Sequence, residues 1–421
     1  MDDQGSPPLL PRRRSRSLSE IPELGPSQAT RDKRRLEMGR RPSPIDVDDL
    51  LAEILLRLPA LPSSLPRASL VCTRWRRIVT DPDFLRRFRA RHWKPLGVFL
   101  TRSQSGREDI SFRFISDPLG SIPPGRFSVP PVRAGAGDDD YTWVFLGCRH
   151  GRVLLIDRNR HGYGRQMLVW NPIAAEHHLL DAPHFLDRQW NRYGNVQGAV
   201  ICASGHEGSF KVALAWDGGH SAHACVYSCV YSSETGEWGD VLSTAAQRES
   251  GFILVGFWNV LVGNSLYWLL FGFGSQLHIV QLDFGSQNLA VIEVPSDVYA
   301  NHRGLCLTTL ANGGGLSLMV MAANLRAQLW ERAPDSDGTA RWMLGGTIEL
   351  DKLLSLRPGF PECRAILGVE GDHNVMFVST YRGVFMVHLE SMQFEKIFKT
   401  NPFIDGGTIH PFTTLHAPGT C

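Results

Sequence analysis

The chain has 421 residues, 43% of them apolar and 20% charged, with a formal net charge of +2. That length holds about two or three domains with ample core, and the near-neutral charge gives no global pull toward nucleic acid or an anionic membrane. The eight cysteines are scattered and no Asn-X-Ser/Thr sequon occurs; both features favour reduced thiols in the cytoplasm or nucleus over a disulfide framework.

Residues 1–44 carry seven prolines and no aromatic side chain. Arg12, Arg13, Arg14 and Arg16, and then Arg31, Lys33, Arg34, Arg35, Arg40 and Arg41, form two basic clusters. Such a stretch cannot bury enough apolar surface to offset the entropy of ordering, so a disordered basic tail is expected. A nuclear import signal is the functional alternative to a merely solvated tail.

Residues 45–94 read as a compact helical module. Leu50, Leu51, Ile54, Leu55 and Leu58 recur on a 3.6-residue period. Asp48 and Asp49 stand in the first turn, where the helix dipole favours acids, and Pro59 ends the run. A second helix begins near Pro66. Trp75, Ile78 and Val79 mark a third, and Asp81-Pro82 is a cap followed by proline at the first helical position, opening a fourth with Phe84, Leu85 and Phe88 inside. The many arginines from Arg74 to Arg91, with Lys94, lie opposite the apolar stripe, as on any solvated face, which argues against a DNA-reading helix. So few helices bury little apolar area, and the module is expected to share its core with a partner.

The blocks DDLLAEILLRLP, SLVCTRWRRIV and DPDFLRRF, in that order, resemble the F-box, the segment that docks F-box proteins onto the Skp adaptor of a cullin-based ubiquitin ligase. That family usually opens with Leu-Pro before the acidic pair, where this chain has Asp46-Val47. The resemblance implies Leu50, Leu51, Ile54, Leu55, Leu58, Val71, Cys72, Trp75 and Ile78 as the adaptor-binding set, some of them packing the module internally.

From Leu96 onward, short apolar runs alternate with polar turns. Glycine-led strands recur as GRVLLID (151–157), GSFKVALAW (208–216), GNSLYWLLF (263–271), GGLSLMVM (314–321) and RGVFMVHL (382–389), each followed by further strand and a polar turn. A recurring four-stranded unit of about 50 residues is the mark of propeller blades. About six are expected over residues 95–421, with 98–117 supplying the first or the closing one. The charge-free stretch GFILVGFWNVLVGNSLYWLLFGFG is long enough to span a bilayer, yet Gly263-Asn264 between two aromatic, β-branched runs reads as a hairpin turn.

VWNPIAAE, YSSETGEW and GNSLYWLL resemble phrases of the kelch-like, F-box-associated β-propellers of plant-type F-box proteins. The fold class expected is therefore α+β multidomain, a small all-α F-box module followed by an all-β propeller of about six blades.

Motifs for chemistry are scarce. His220, His223, Cys225 and Cys229 cluster in sequence, but a zinc site normally brings paired ligands from two places, and no second pair occurs. Small buried cysteines in a strand are the simpler account. His177-His178 reads as a solvated turn and Asp138-Asp139-Asp140 as an exposed acidic loop. No nucleophile elbow, Walker loop or dinucleotide fingerprint is present. The resemblance implies a non-catalytic substrate-recognition subunit without cofactor or metal. Its partners would be a Skp-type adaptor, through it a cullin, and a target protein held by the propeller, with Trp190 and Tyr193 as candidate target contacts. The rival expectation is a propeller scaffold or interaction protein whose helical cap is structural.

Overall fold

The computed structural model describes residues 48–58, 64–92, 95–104, 107–115, 122–131, 142–159, 162–183, 196–202, 209–217, 225–245, 252–272, 276–299, 302–309, 315–322, 325–334, 340–356, 366–370, 374–399 and 408–413. It divides into two compact units, 1–88 and 89–421. The basic tail, Asp46-Val47, Asp138-Asp139-Asp140, Trp190, Tyr193, His220 and His223 lie outside the described residues.

The first unit is helical: α1 (Asp48–Leu55), α2 (Ser64–Ser69), α3 (Thr73–Thr80) and α4 (Pro82–His92). The second is all but entirely strand. It opens with an antiparallel pair, β1 (Gly97–Gln104) and β2 (Arg107–Phe114). A four-stranded sheet follows, of β3 (Thr142–Arg149), β4 (Arg152–Asn159), β5 (Gly162–Asn171) and β6 (Glu176–Asp181). In the next sheet, β7 (Val196–Cys202), β8 (Phe210–Asp217) and β9 (Cys225–Ser232) are edged by β10 (Glu237–Trp238) and β11 (Leu242–Ala245), both paired with β9. Then come β12 (Phe252–Val262), β13 (Ser265–Gly272), β14 (Leu277–Asp283) and β15 (Asn288–Glu293). A short α5 (Ser296–Tyr299) leads to β16 (His302–Thr309), β17 (Leu316–Ala322), β18 (Arg326–Pro334) and β19 (Ala340–Glu349). After α6 (Leu350–Leu353) stand β20 (Ile366–Glu370), β21 (Val375–Thr380), β22 (Gly383–His388) and β23 (Phe394–Phe398). The last strand, β24 (Thr408–Phe412), returns to β1, giving the sheet order β2-β1-β24.

The described strands thus form six sheets, and apolar clusters join each sheet to the next. Leu154 and Val169 pack with Val200 and Trp216, Ala213 and Val226 with Trp268 and Val280, Leu269 and Ile279 with Leu307 and Leu318. Met319 and Met321 pack with Met376 and Phe385; Phe377 and Met386 with Val98 and Ile409. Phe99 and Phe412 meet Phe145 and Leu155, which returns to the second sheet and closes a six-bladed propeller. Sheets sandwiched this way are buried on both faces, so their strands are continuously apolar. Every residue of β21 is buried, while the outermost strands β6 and β23 are mostly exposed.

The glycine-led strands are β4, β8, β13 and β17, second in their sheets, and β22, third in its sheet. The described strands of the stretch 98–117, β1 and β2, belong to the closing blade, one of the two expected alternatives. The charge-free stretch is the β12–β13 hairpin, with Val262 opposite Ser265 and Gly263 at φ +58°, a backbone region glycine enters without steric cost. Among the described residues no helix is long and apolar enough to cross a membrane.

Glu108 of β2 carries the most displaced carboxyl of the closing blade. Burial pushes its pKa up to about 7, against the backbone hydrogen bond at Phe145, the charge of Arg158 and the Thr101 hydroxyl, which all favour the anion. The folded chain therefore holds this proton more tightly than the unfolded one. The contribution is complete below about 4.5, the ordinary value, and is lost as pH rises through about 7. Glu108→Gln should raise the thermal midpoint above neutral pH and leave it nearly unchanged near pH 4, a difference on the order of 3 kcal/mol at most. Calorimetric scans of both proteins across that range check it; parallel pH profiles would refute the assignment.

Candidate functional site

The helical module buries Leu51, Leu55, Leu56, Ala68, Ile78, Val79, Phe84 and Phe88 in one cluster. Phe84 and Phe88 stack with ring centroids 6.1 Å apart. Of the expected docking residues, Leu51, Leu55 and Ile78 therefore face inward, and Leu58 and Trp75 are partly buried against the same core. Leu50 and Ile54 face out, 49% and 44% exposed, as do Val71 at 60% and the exposed Cys72. Leu70, 76% exposed, joins them; sequence reasoning passed it over because it belongs to no helical stripe. The signal available was an apolar Leu70-Val71 pair directly before Cys72, the residue that precedes α3. The amides of Leu70 and Val71 donate to the carbonyls of Arg67 and Ala68 at 3.2 Å each, closing the tight turn that ends α2.

Helical geometry explains the division. Neighbouring residues on a helix lie about 100° apart, so Leu50 and Ile54 share one face while Leu51 and Leu55 share another. What reads as one broad stripe is two faces, one buried in the core and one exposed.

Charge fixes how α1 sits. The Asp48 carboxylate accepts from Arg74 Nε at 2.6 Å and from an Arg77 terminal nitrogen at 2.7 Å. The Arg74 hydrogen bond is the main cause holding its pKa below the usual carboxylate range. Glu53 pairs with Arg87. The acid expected to serve the helix dipole is thus a two-armed tie to α3, and three of the arginines expected on a purely solvated face hold α1 to α3 and α4. Exposed pairs contribute little each; their use is to set the angle of α1.

The expected cap of α4 is present. Asp81 Oδ1 accepts from the amides of Asp83 and Phe84 at 2.9 and 3.0 Å, with Pro82 at the first helical position. Asp81→Ala should cost about 1 kcal/mol, read as a lower thermal midpoint of the helical unit, while Asp81→Asn should cost much less.

Elsewhere the candidates for chemistry disperse. Cys229 lies in the core between two blades, its thiol pKa pushed up by burial. His177 and His178 are exposed, as expected, but on strand β6 rather than in a turn. Among the described residues no group of three or more His, Cys, Asp or Glu side chains is placed to hold a metal ion.

Two families match. Residues 47–87 match the F-box domain, and residues 144–419 match the family described as "F-box protein AT5G49610-like, beta-propeller". No curated protein matches the chain. Solved structures with some likeness include one from a study of two prolyl endopeptidases, at 10% identity and a TM-score of 0.36 over 76% of this chain and 48% of that one. Another is the dipeptidyl peptidase 4 of Porphyromonas gingivalis, at 10% identity and a TM-score of 0.29 over 71% of this chain and 51% of that one. The chain spans about half the length of both peptidases, and at these scores neither likeness bears on its activity. Six closed blades following, in the sequence, a helical module with its own core and with exposed apolar side chains, matched by both families in order, place the chain among the F-box proteins with an AT5G49610-like β-propeller.

Proposed function

We propose that this chain is the substrate-recognition subunit of a Skp–cullin–F-box ubiquitin ligase, acting in the cytoplasm or nucleus. The observation that supports it is a set of exposed apolar side chains, Leu50 and Ile54 on one face of α1 and Leu70 and Val71 at the end of α2, on a module that already has its own core. Four exposed apolar side chains on so small a unit suit a partner surface. Cys72 is exposed next to Val71 in the chain; Leu51, Leu55 and Ile78 form the core beneath, with Leu58 and Trp75 partly buried against it. The propeller holds the target, and the ligase works by proximity: tethering raises the effective concentration of a target lysine near the ubiquitin-charged enzyme. No catalytic side chain, cofactor or metal is required of this subunit.

Capture of the full-length chain by purified Skp-type adaptor tests the reading, with Leu50→Asp/Ile54→Asp as the comparison. Stoichiometric capture lost in the variant supports it. A stable chain that ignores the adaptor would make it a propeller scaffold with a structural cap.

A further inference from the structure

The outer edge of the third sheet is irregular in a way that opens a cavity. Trp238 of β10 stands opposite Tyr231, and Leu242 of β11 opposite Ser228. Between these pairs, three residues (Gly239, Asp240, Val241) face two on β9, Cys229 and Val230, with Gly239 N donating to Val230 O at 2.8 Å. The edge strand therefore carries a one-residue bulge, a device that re-aims side chains at sheet edges. Beside it, toward the β14–β15 turn of the next sheet, lies a cavity of about 350 Å³.

The floor of this cavity is apolar, made of Val230, Leu242, Leu282 and Phe284; Cys229 and Trp238 also line it, but their side chains pack toward the second sheet, where the Trp238 indole nitrogen donates to the Asp181 carbonyl at 2.9 Å. Its rim is acidic: Glu234, Glu237 and Asp240 are all exposed. A fourth carboxylate, Asp283, is committed to its own turn, accepting from the Ser286 amide at 2.7 Å, the Gly285 amide at 2.8 Å and the Ser265 hydroxyl at 2.9 Å. Lys211 is the cation among the lining residues. Three carboxylates against one ammonium, above an aromatic and aliphatic floor, complement a long side chain with an apolar stem and a cationic head. The stem lies along the floor while the head stays near water and the rim. An acidic segment would meet like charge, and an uncharged one would leave the rim unanswered.

We infer that this groove between the third and fourth blades receives an arginine- or lysine-bearing extended segment of the target protein. The inference rests on the reading of the propeller as the target-holding part and gives that target a chemistry. A volume of this order accommodates about one or two side chains, so the groove supplies one specificity contact within a larger interface.

The test uses the full-length chain and three degenerate heptapeptide pools with apolar flanks, holding arginine, glutamine or glutamate at the centre. The arginine pool should be retained about tenfold better than the glutamine pool at low salt, with the glutamate pool weakest. Glu234→Gln/Glu237→Gln/Asp240→Asn should erase the preference. Lys211→Met, which removes the competing cation, should strengthen it, a gain that misfolding cannot imitate. Equal retention of the arginine and glutamine pools, or a preference that survives the triple variant, would overturn the inference. Adaptor capture measured on the same proteins separates the two proposals. Lost capture with an intact arginine preference strikes the ligase role, and intact capture without a preference strikes the groove.

Discussion

Replacing Leu50 and Ile54 together by aspartate should abolish adaptor capture while leaving the chain folded. Both side chains are about half exposed in the free module, so an acid at either position costs the module little. Buried against a partner, each would contribute about 1.5–3 kcal/mol, and a desolvated carboxylate there costs more than the lost contact. A combined loss of at least about 4 kcal/mol corresponds to roughly a thousandfold in Kd. The informative control is the neighbouring pair. Leu51→Ala with Leu55→Ala removes two fully enclosed side chains, at about 2–5 kcal/mol each, and should melt the helical unit. Capture would fall in both variants, but only the second should lower helicity in circular dichroism and sharpen proteolysis. A Leu50→Asp/Ile54→Asp protein that still binds with wild-type affinity would remove this face from the docking surface. Leu55→Asp would confuse the two effects, because Leu55 belongs to the core.

Phe412→Ala should be among the most destabilising single substitutions in the propeller. Its ring is fully buried and meets Phe99 at 5.6 Å, Phe127 at 5.7 Å and Phe112 at 6.0 Å. A phenylalanine truncated in such a site costs about 3–5 kcal/mol, roughly 5–10 °C in thermal midpoint for a domain of this size. The effect should be disproportionate because β24 also supplies Ile409 to the neighbouring cluster. Phe394→Ala, at an exposed position on β23, should change the midpoint little. If the two substitutions behave alike in calorimetry, ring closure through β24 is not a main source of stability.

The sequence made some of this legible and concealed the rest for physical reasons. Helix periodicity marked α1, and Asp81-Pro82 marked the start of α4, because local chemistry decides both. Which leucines of α1 face outward was hidden, since adjacent apolar residues satisfy an inward and an outward face equally well. In the propeller, glycine-led strands and the turn phrases between the third and fourth strands stood out. The first strand of each sheet did not: four of these strands, β3, β12, β16 and β20, carry register shifts near a glycine (Gly147, Gly256, Gly304 and Gly368) that blur any period. The pairing of β1 with β24 had no local signature at all. The edge bulge behind the acidic groove was equally invisible, because nothing in YSSETGEWGDV shows that three residues oppose two.

The pairing of β1 with β24 also sets a timetable. The hydroxyls of Thr101 and Thr408 meet at 2.5 Å across 307 residues of chain. A ribosome adding about 5–20 residues per second needs on the order of half a minute to cover that interval. Throughout it, the inner edge of β1 waits without its partner, a bare strand edge open to pairing with other nascent chains. Production of this protein should therefore respond to translation speed and to chaperones that shield strand edges, and least so for the helical unit, whose contacts are local and form early.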